Sequence, residues 1–368
     1  LIMKKVLLII LAVLMAASVF VACAKTEEPA AEPVKITSSE ATPMPAATPT
    51  AEISKEMPKD ASPTTGLAGH PEYKPVIVQI ENEPPARPQA GLQVADIVYE
   101  TMIEGIDTRF TAIFNDTYPE QAGPVRSSRY YHQRIQQEWD ALYVHQGGPE
   151  DPNFKTTYIY GDSGEHIKQR INGVKGAPES QIFRINNGKA LEHTAYTNVA
   201  EDAKAYKYEP EQRTPFKFYP LEAYDTQPEI TDVQLSFWSK PGFVGYKYDK
   251  TKDKLIRSMG GKDFIAEETG KPIEVQNLIV QYVSISEAPN EGGRKLIEMS
   301  GHGPAEFYIH GRHLNGTWER EDYTDDTLFK LDSGEELVLA PGNTWIEVHP
   351  NNKPVTTNYV GGTSEKEN

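Results

Sequence analysis

One cysteine in 368 residues, Cys23, stands where a hydrophobic segment stops. It divides the chain into a leading part that cannot build a globular core and a trailing part that can. Lys4 and Lys5 precede an apolar run from Val6 to Val21. Ala22 and Cys23 follow, and the chain then turns polar and proline-rich. A short basic region, an apolar stretch and a small residue before the cut form the secretory signal pattern. Residues 1–22 therefore read as a lipoprotein signal peptide, with Cys23 as the lipidation site. Residues 23–66 are rich in Pro, Ala, Thr, Glu and Lys, without apolar periodicity. Such a stretch cannot bury enough surface to offset chain entropy, and it reads as a disordered, semi-extended tether.

A lone cysteine excludes internal disulfides and any multi-cysteine metal or redox centre. An exported chain without disulfides must be held together by its core. The roughly 300 residues beyond the tether are enough for two domains. The formal net charge of -16 argues against nucleic acid, which needs a basic surface. It also argues against a helix lying flat on an anionic membrane. The membrane would be reached through the N-terminal lipid, at the extracytoplasmic face of the cell membrane.

Residues 67–225 mix strand and helix signals and predict an α/β-containing N-terminal domain. Val76 to Ile80 is a short apolar run with the character of a buried strand. Ala95 to Glu100 and Arg109 to Phe114 predict two more, the latter with Phe110, Ala112 and Phe114 on one face. Ser127 to Glu138 predicts a helix, because Tyr131, Ile135 and Trp139 recur at four-residue spacing. Ala141 to His145 and Gln181 to Ile185 read as strands, and Asn198 to Lys204 as a helix. Residues 226–360 carry many short strand signals between Gly, Pro, Asn and Asp turns, so a β-rich C-terminal domain is expected. Pro210, Pro215, Pro220 and Pro228 mark the connection between the two, and residues 361–368 form a polar tail. The fold class expected is α+β.

The segment Phe20-Val21-Ala22-Cys23 resembles the bacterial lipobox, with Phe20 where leucine is usual. PVIVQIEN (Pro75 to Asn82), ARPQAGLQVADIVYE (Ala86 to Glu100), EGIDTRFTAIF (Glu104 to Phe114), GPVRSSR (Gly123 to Arg129) and DALYVHQGG (Asp140 to Gly148) resemble the YerB-type lipoprotein family of Gram-positive bacteria. GPAEFYIHGR (Gly303 to Arg312), GTWER (Gly316 to Arg320) and LAPGNTWIEV (Leu339 to Val348) resemble its C-terminal module. The resemblance implies a lipid-anchored, two-domain protein. It implies no particular biochemical activity.

Arg87, Arg109, Arg126 and Arg129 fall near strand ends, with Arg134 nearby. A guanidinium presents a planar fork suited to carboxylate or phosphate. Arg126 and Arg129 flank the start of the expected helix, where free N–H groups and the dipole favour an anion. These four arginines are candidates for an anion or ligand site, with an internal ion-pair network as the competing reading. Asp96, Glu100 and Glu104 could supply that network, or a pair of carboxylates for glycan cleavage. Ser127 is expected as the helix N-cap, and no G-x-S-x-G elbow surrounds it. His302, His310 and His313 suggest a metal, but Gly311 predicts a hairpin turn with no third ligand. Neither a metal nor a cofactor is expected. Trp238, Trp318 and Trp345 could form a sugar platform, although strand aromatics usually fill cores. The leading expectation is a binding or scaffolding role at the cell envelope, toward an anionic ligand or a protein partner. The alternative is an envelope enzyme acting on wall or phosphate-containing polymers.

Overall fold

The structure, a computed structural model, describes residues 56–148, 169–174, 181–238, 243–289 and 292–362. The expected signal peptide, Cys23 and most of the tether lie outside the described residues. In chain order the strands are β1 (Val76–Glu81), β2 (Ile97–Met102), β3 (Thr108–Phe114), β4 (Leu142–His145), β5 (Arg170–Asn172), β6 (Ile182–Arg184), β7 (Ala195–Thr197), β8 (Ile230–Leu235), β9 (Val244–Asp249) and β10 (Lys254–Met259). There follow β11 (Lys262–Asp263), β12 (Glu274–Val275), β13 (Asn277–Val283), β14 (Ile285–Glu287), β15 (Lys295–Ile297), β16 (Gly301–Ile309), β17 (Arg312–Arg320), β18 (Leu328–Leu331), β19 (Thr344–Pro350) and β20 (Val355–Tyr359). The described α-helices are α1 (Tyr130–Trp139) and α2 (Val199–Ala205).

A ten-stranded sheet runs β18-β17-β16-β13-β19-β2-β3-β1-β4-β5. Its first five strands come from beyond residue 276 and its last five from before residue 173. The seam is a parallel pairing of β19 with β2, which sets Glu347 beside Glu100. A second sheet, β11-β10-β9-β8-β20, packs on one face, with β12 joined to β10. The apolar residues divide by strand alternation. Val78, Val98, Phe110, Trp345, Leu278, Tyr246 and Leu255 meet between the sheets. Ile77, Ile97, Tyr99, Ile113, Tyr143 and Ile346 face the other way, under Tyr131, Ile135 and Trp139 of α1. Those helical residues are the ones the four-residue spacing singles out. Burying a large apolar side chain stabilises by about 1.5–3 kcal/mol, so the central strands are secured from both faces.

The N-terminal region holds both described α-helices among its strands, but it is not clearly α/β. Strand dominates both halves, and α-helix is confined to α1 and α2 among the described residues, with short 3-10 turns elsewhere. Short strands such as β5 and β7, three residues each, are recruited by tertiary pairing and leave no periodicity to read. The run from Ile273 to Val283 holds two elements, with β12 paired to the second sheet and β13 to the first. The order of the chain also begins before residue 67. Ser62, Thr64 and Thr65 are buried. Thr64 Oγ1 donates to Asp96 Oδ2 at 2.6 Å, and Ser62 Oγ to Asp116 Oδ1 at 2.6 Å. Composition hides this clamp because its partners lie more than thirty residues away.

The hairpin between β16 and β17 turns at His310 and Gly311, both with positive φ, at 50° and 66°. A side chain on Gly311 would collide with the Tyr248 ring, 2.2 Å from the Cβ position. His310 pairs with Asp253 at 2.6 Å and His313 with Glu306 at 3.0 Å, so the turn sends the two imidazoles to different carboxylates. Trp318 and Trp345 are buried. The sugar-platform idea therefore fails for them, because their rings are core.

Candidate functional site

Strands β1, β2, β4 and β5 run parallel to one another, with β3 reversed between β1 and β2. Their carboxyl ends share one edge of the sheet. On the helix-covered face the apolar side chains give way there to polar ones. Gln79, Glu81, Thr101, Thr111, His145 and Arg109 are all buried. The segment Arg126–Arg129 and the loop Gln146–Gly148 close over this edge. Gln146 N–H donates to Arg126 O at 2.9 Å, and Ser128 N–H to Gly147 O at 3.1 Å. Gly148 packs on Ser128, so close that a Cβ there would sit 3.0 Å from the serine Cβ.

Helix α1 starts at this edge, but its cap is not Ser127. Arg129 is the N-cap, and its N–H donates to His132 Nδ1 at 3.0 Å. Ser127 Oγ instead donates to Gln146 O at 3.0 Å. The loop–loop contact takes the hydroxyl that local sequence assigns to the cap. His132 Nε2 lies 2.8 Å from Thr101 Oγ1. Burial, reinforced by Arg109, Arg129 and His145, holds this imidazole well below its ordinary pKa. It is therefore neutral, accepting at Nδ1 and donating at Nε2.

The candidate arginines do not share one environment. Arg126 Nε donates to Glu81 Oε1 at 2.8 Å, and His193 Nδ1 lies 2.8 Å from Glu81 Oε2. Arg129 grips Glu104 with two bonds of 2.8 and 2.7 Å, and Arg294 Nε stands 3.4 Å from the same carboxylate. Burial opposes ionisation of Glu104, but Arg129 outweighs it and holds the carboxyl below its usual range. Arg87 is directed away from this edge and donates to Asn82 Oδ1 at 3.1 Å and to Asn82 O at 2.6 Å. Arg134 lies over the Tyr323 ring at 3.7 Å.

Arg109, like Arg87, has no carboxylate partner among the described residues, but it is far more deeply buried. It is 3% exposed. Its Nη1 donates to Ser127 O at 2.6 Å, its Nε has no partner, and no carboxylate among the described residues reaches ion-pair distance. Burial, and then Arg129, push its pKa down to about 10, which leaves it charged at neutral pH. An uncompensated buried guanidinium thus faces the loop that opens α1.

The candidate carboxylates separate too. Asp96 accepts from Thr64, Asn115 N–H and Asp116 N–H. Burial, then the neighbouring Asp116, push it up to about 8. Glu104 belongs to the arginine edge. Glu100 lies between the two sheets, paired with Arg257 and accepting from Thr108 and from Asn82 Nδ2. Its neighbour across the seam is Glu347, which accepts from Tyr246. Glu100, Arg257 and Glu347 are fully buried, and the guanidinium is ringed by Phe110, Phe264, Tyr246 and Trp345. Burial and the Glu100 charge raise the Glu347 pKa well above its ordinary value. Sequence reasoning passes over Arg257, Glu347, Glu81 and His193. The one available signal is a lone charge at an inward position of an apolar strand, as in NTWIEV and KLIRSM.

A β-sheet protein built of two halves that complete one sheet, with an arginine-rich edge on the first, is the class this geometry defines. Both halves match models of proteins of unknown function. Residues 64–212 match the DUF3048 N-terminal domain and residues 233–346 the DUF3048 C-terminal domain. The chain belongs to the DUF3048 family. It is 31% identical over 299 residues to "Putative lipoprotein YerB" of Bacillus subtilis (strain 168), across 78% of this chain and 86% of that protein. The crystal structure of the YerB protein from Bacillus subtilis superposes with a TM-score of 0.66 at 30% identity, covering 79% of this chain and 96% of that one. The YerB-type resemblance read from the strand strings is thereby established.

Proposed function

We propose that this protein is anchored through lipid on Cys23 to the extracytoplasmic face of the cell membrane, where it binds an anionic group of the envelope at the Arg109 edge. The observation that carries the reading is the buried Arg109 guanidinium beside the start of α1, with no carboxylate partner among the described residues. An ion held out of water without a partner is costly. A guanidinium cannot shed its proton at neutral pH to avoid that cost. A phosphate or carboxylate bound against Arg109 would compensate the charge, and the positive end of the α1 dipole would favour it. The surroundings favour holding a ligand over turning it over. The Ser127 and Ser128 hydroxyls donate to backbone carbonyls, and both nitrogens of His132 are engaged, so neither serine has a free base beside it.

Calorimetric titration of the full chain with inorganic phosphate and glycerol phosphate, at low and high salt, tests the binding. Saturable heat that disappears in Arg109→Met is expected. Absence of saturation in the wild type, or equal affinity in the folded variant, overturns the site. For the anchor, Cys23→Ala is expected to move the protein from the membrane fraction to the soluble one.

A further inference from the structure

A second recess lies away from the arginine edge, where the linking segment 212–219 crosses the start of the described chain. It is a groove of about 600 Å³ lined by Met57, Pro63, Tyr73, Phe216, Phe218 and Tyr219, with Lys59, Lys217 and Glu336 also on its walls. That size falls within the range of small-molecule sites, roughly 300–1,000 Å³. Its polar groups are largely engaged elsewhere. Tyr73 Oη donates to Trp139 O at 2.8 Å and Tyr219 Oη to Gly66 O at 3.1 Å. Gln212 Nε2 donates to Tyr73 O at 3.2 Å, and Arg213 is held by Glu138 O, Thr324 O, Asp326 and Glu211. A sugar or a peptide backbone needs hydrogen-bond partners along its length, and apart from Lys59, Thr214, Lys217 and Glu336 this lining offers few. An apolar chain needs none.

Lys59 and Lys217 are exposed on the groove, and no carboxylate among the described residues pairs with either. In a chain of formal charge -16, two unpaired cations against the single wall carboxylate Glu336 favour an anionic occupant. Met57, 65% exposed, extends the apolar surface at the same place. We infer that this groove binds an anionic amphiphile, its hydrocarbon chain against Phe216, Phe218 and Tyr219 and its charged head between Lys59 and Lys217. The groove is independent of Arg109, which lies at the other end of α1.

Dodecyl phosphate, dodecanol and inorganic phosphate, each below any micelle-forming concentration, are the probes for the full chain. Trp139, whose ring centre is 5.8 Å from that of Phe216, supplies a fluorescence readout. Dodecyl phosphate is expected to saturate the signal, with dodecanol weaker by about three- to tenfold, the range two rim ion pairs supply. Inorganic phosphate is expected to leave Trp139 unchanged. Lys59→Glu with Lys217→Glu should abolish the preference for the phosphate ester while dodecanol binding persists, which also certifies the fold. Tyr219→Ala should weaken both. Failure of dodecyl phosphate to bind, or an unchanged preference in the double variant, overturns the inference. So does saturation by an acidic proline-rich peptide in its place, or concentration-dependent dimerisation that Tyr219→Glu removes. Because Arg109→Met leaves the groove intact, loss of phosphate binding there and loss of amphiphile binding here are separable failures.

Discussion

The two buried charge groups of this protein are built from the same residue types and solve opposite problems. Between the sheets, one guanidinium, Arg257, serves two carboxylates, Glu100 and Glu347. At the strand edge, Arg109 is buried with no carboxylate among the described residues in contact, while Arg126 and Arg129 already have theirs. A surplus carboxylate can be neutralised by a proton at a pH a cell meets, and burial raises the Glu347 pKa in that direction. A surplus guanidinium pushed to about 10 still cannot lose its charge near neutrality. The first group is therefore balanced in charge, although Arg257 Nε and Nη1 and Glu347 Oε2 make no hydrogen bond, and the second is where an anion from outside is proposed. Charge sign, through the ordinary pKa of each side chain, separates the structural cluster from the proposed binding site.

The sharpest way to break this comparison is to remove the shared cation. Arg257→Met leaves Glu100 without its partner, and loss of one member of a buried pair costs about 3–5 kcal/mol. Urea unfolding should show that loss, and a change below 1 kcal/mol would mean that the cluster is not structural. Glu347→Gln tests the proton. The folded pKa of Glu347 lies above its unfolded value, so its contribution is complete below the ordinary glutamate pKa and is lost as pH rises toward the raised one. The variant has no such loss, and its stability relative to wild type should grow with pH. The limiting slope is about 1.4 kcal/mol per pH unit. A difference that is flat from pH 5 to 9 would show Glu347 to be ionised.

At the edge, Arg109→Met should keep or raise thermal stability while weakening phosphate binding by at least about tenfold, the value of one charge-assisted contact. Strong destabilisation would assign Arg109 to the structure instead. The smallest effect is expected from Glu104→Gln, which loosens Arg129. A partly exposed pair of this kind is worth under about 1 kcal/mol. Phosphate affinity should rise a few-fold as a second guanidinium is released toward the edge.

Much of the fold is legible because strands with two buried faces write long apolar runs. VIVQIE and NLIVQYV are fully or nearly fully buried strands, and both stand out unaided. Helix α1 is legible from Tyr131, Ile135 and Trp139. β20 is not, since VTTNY is an edge strand whose residues are mostly half-exposed and carry no strong pattern. The site is half legible. Arg109, Arg126 and Arg129 are visible as arginines at strand ends, but nothing local says that Glu81 and Glu104 satisfy two of them. Ser127 shows the same limit, because its hydroxyl is claimed by Gln146 across the loop–loop contact.

The sequence by itself determined the family, the strand-rich character, the α1 register and the residues able to hold an anion. Those properties are written in local pattern and side-chain chemistry. Tertiary structure alone decided that two segments form one sheet at the β2–β19 seam, and that Glu100 meets Glu347 and Arg257 there. It also decided which buried arginine is left without a carboxylate among the described residues. Pairing of charges depends on distances between residues far apart in the chain, and strand order, which no local pattern encodes, sets those distances.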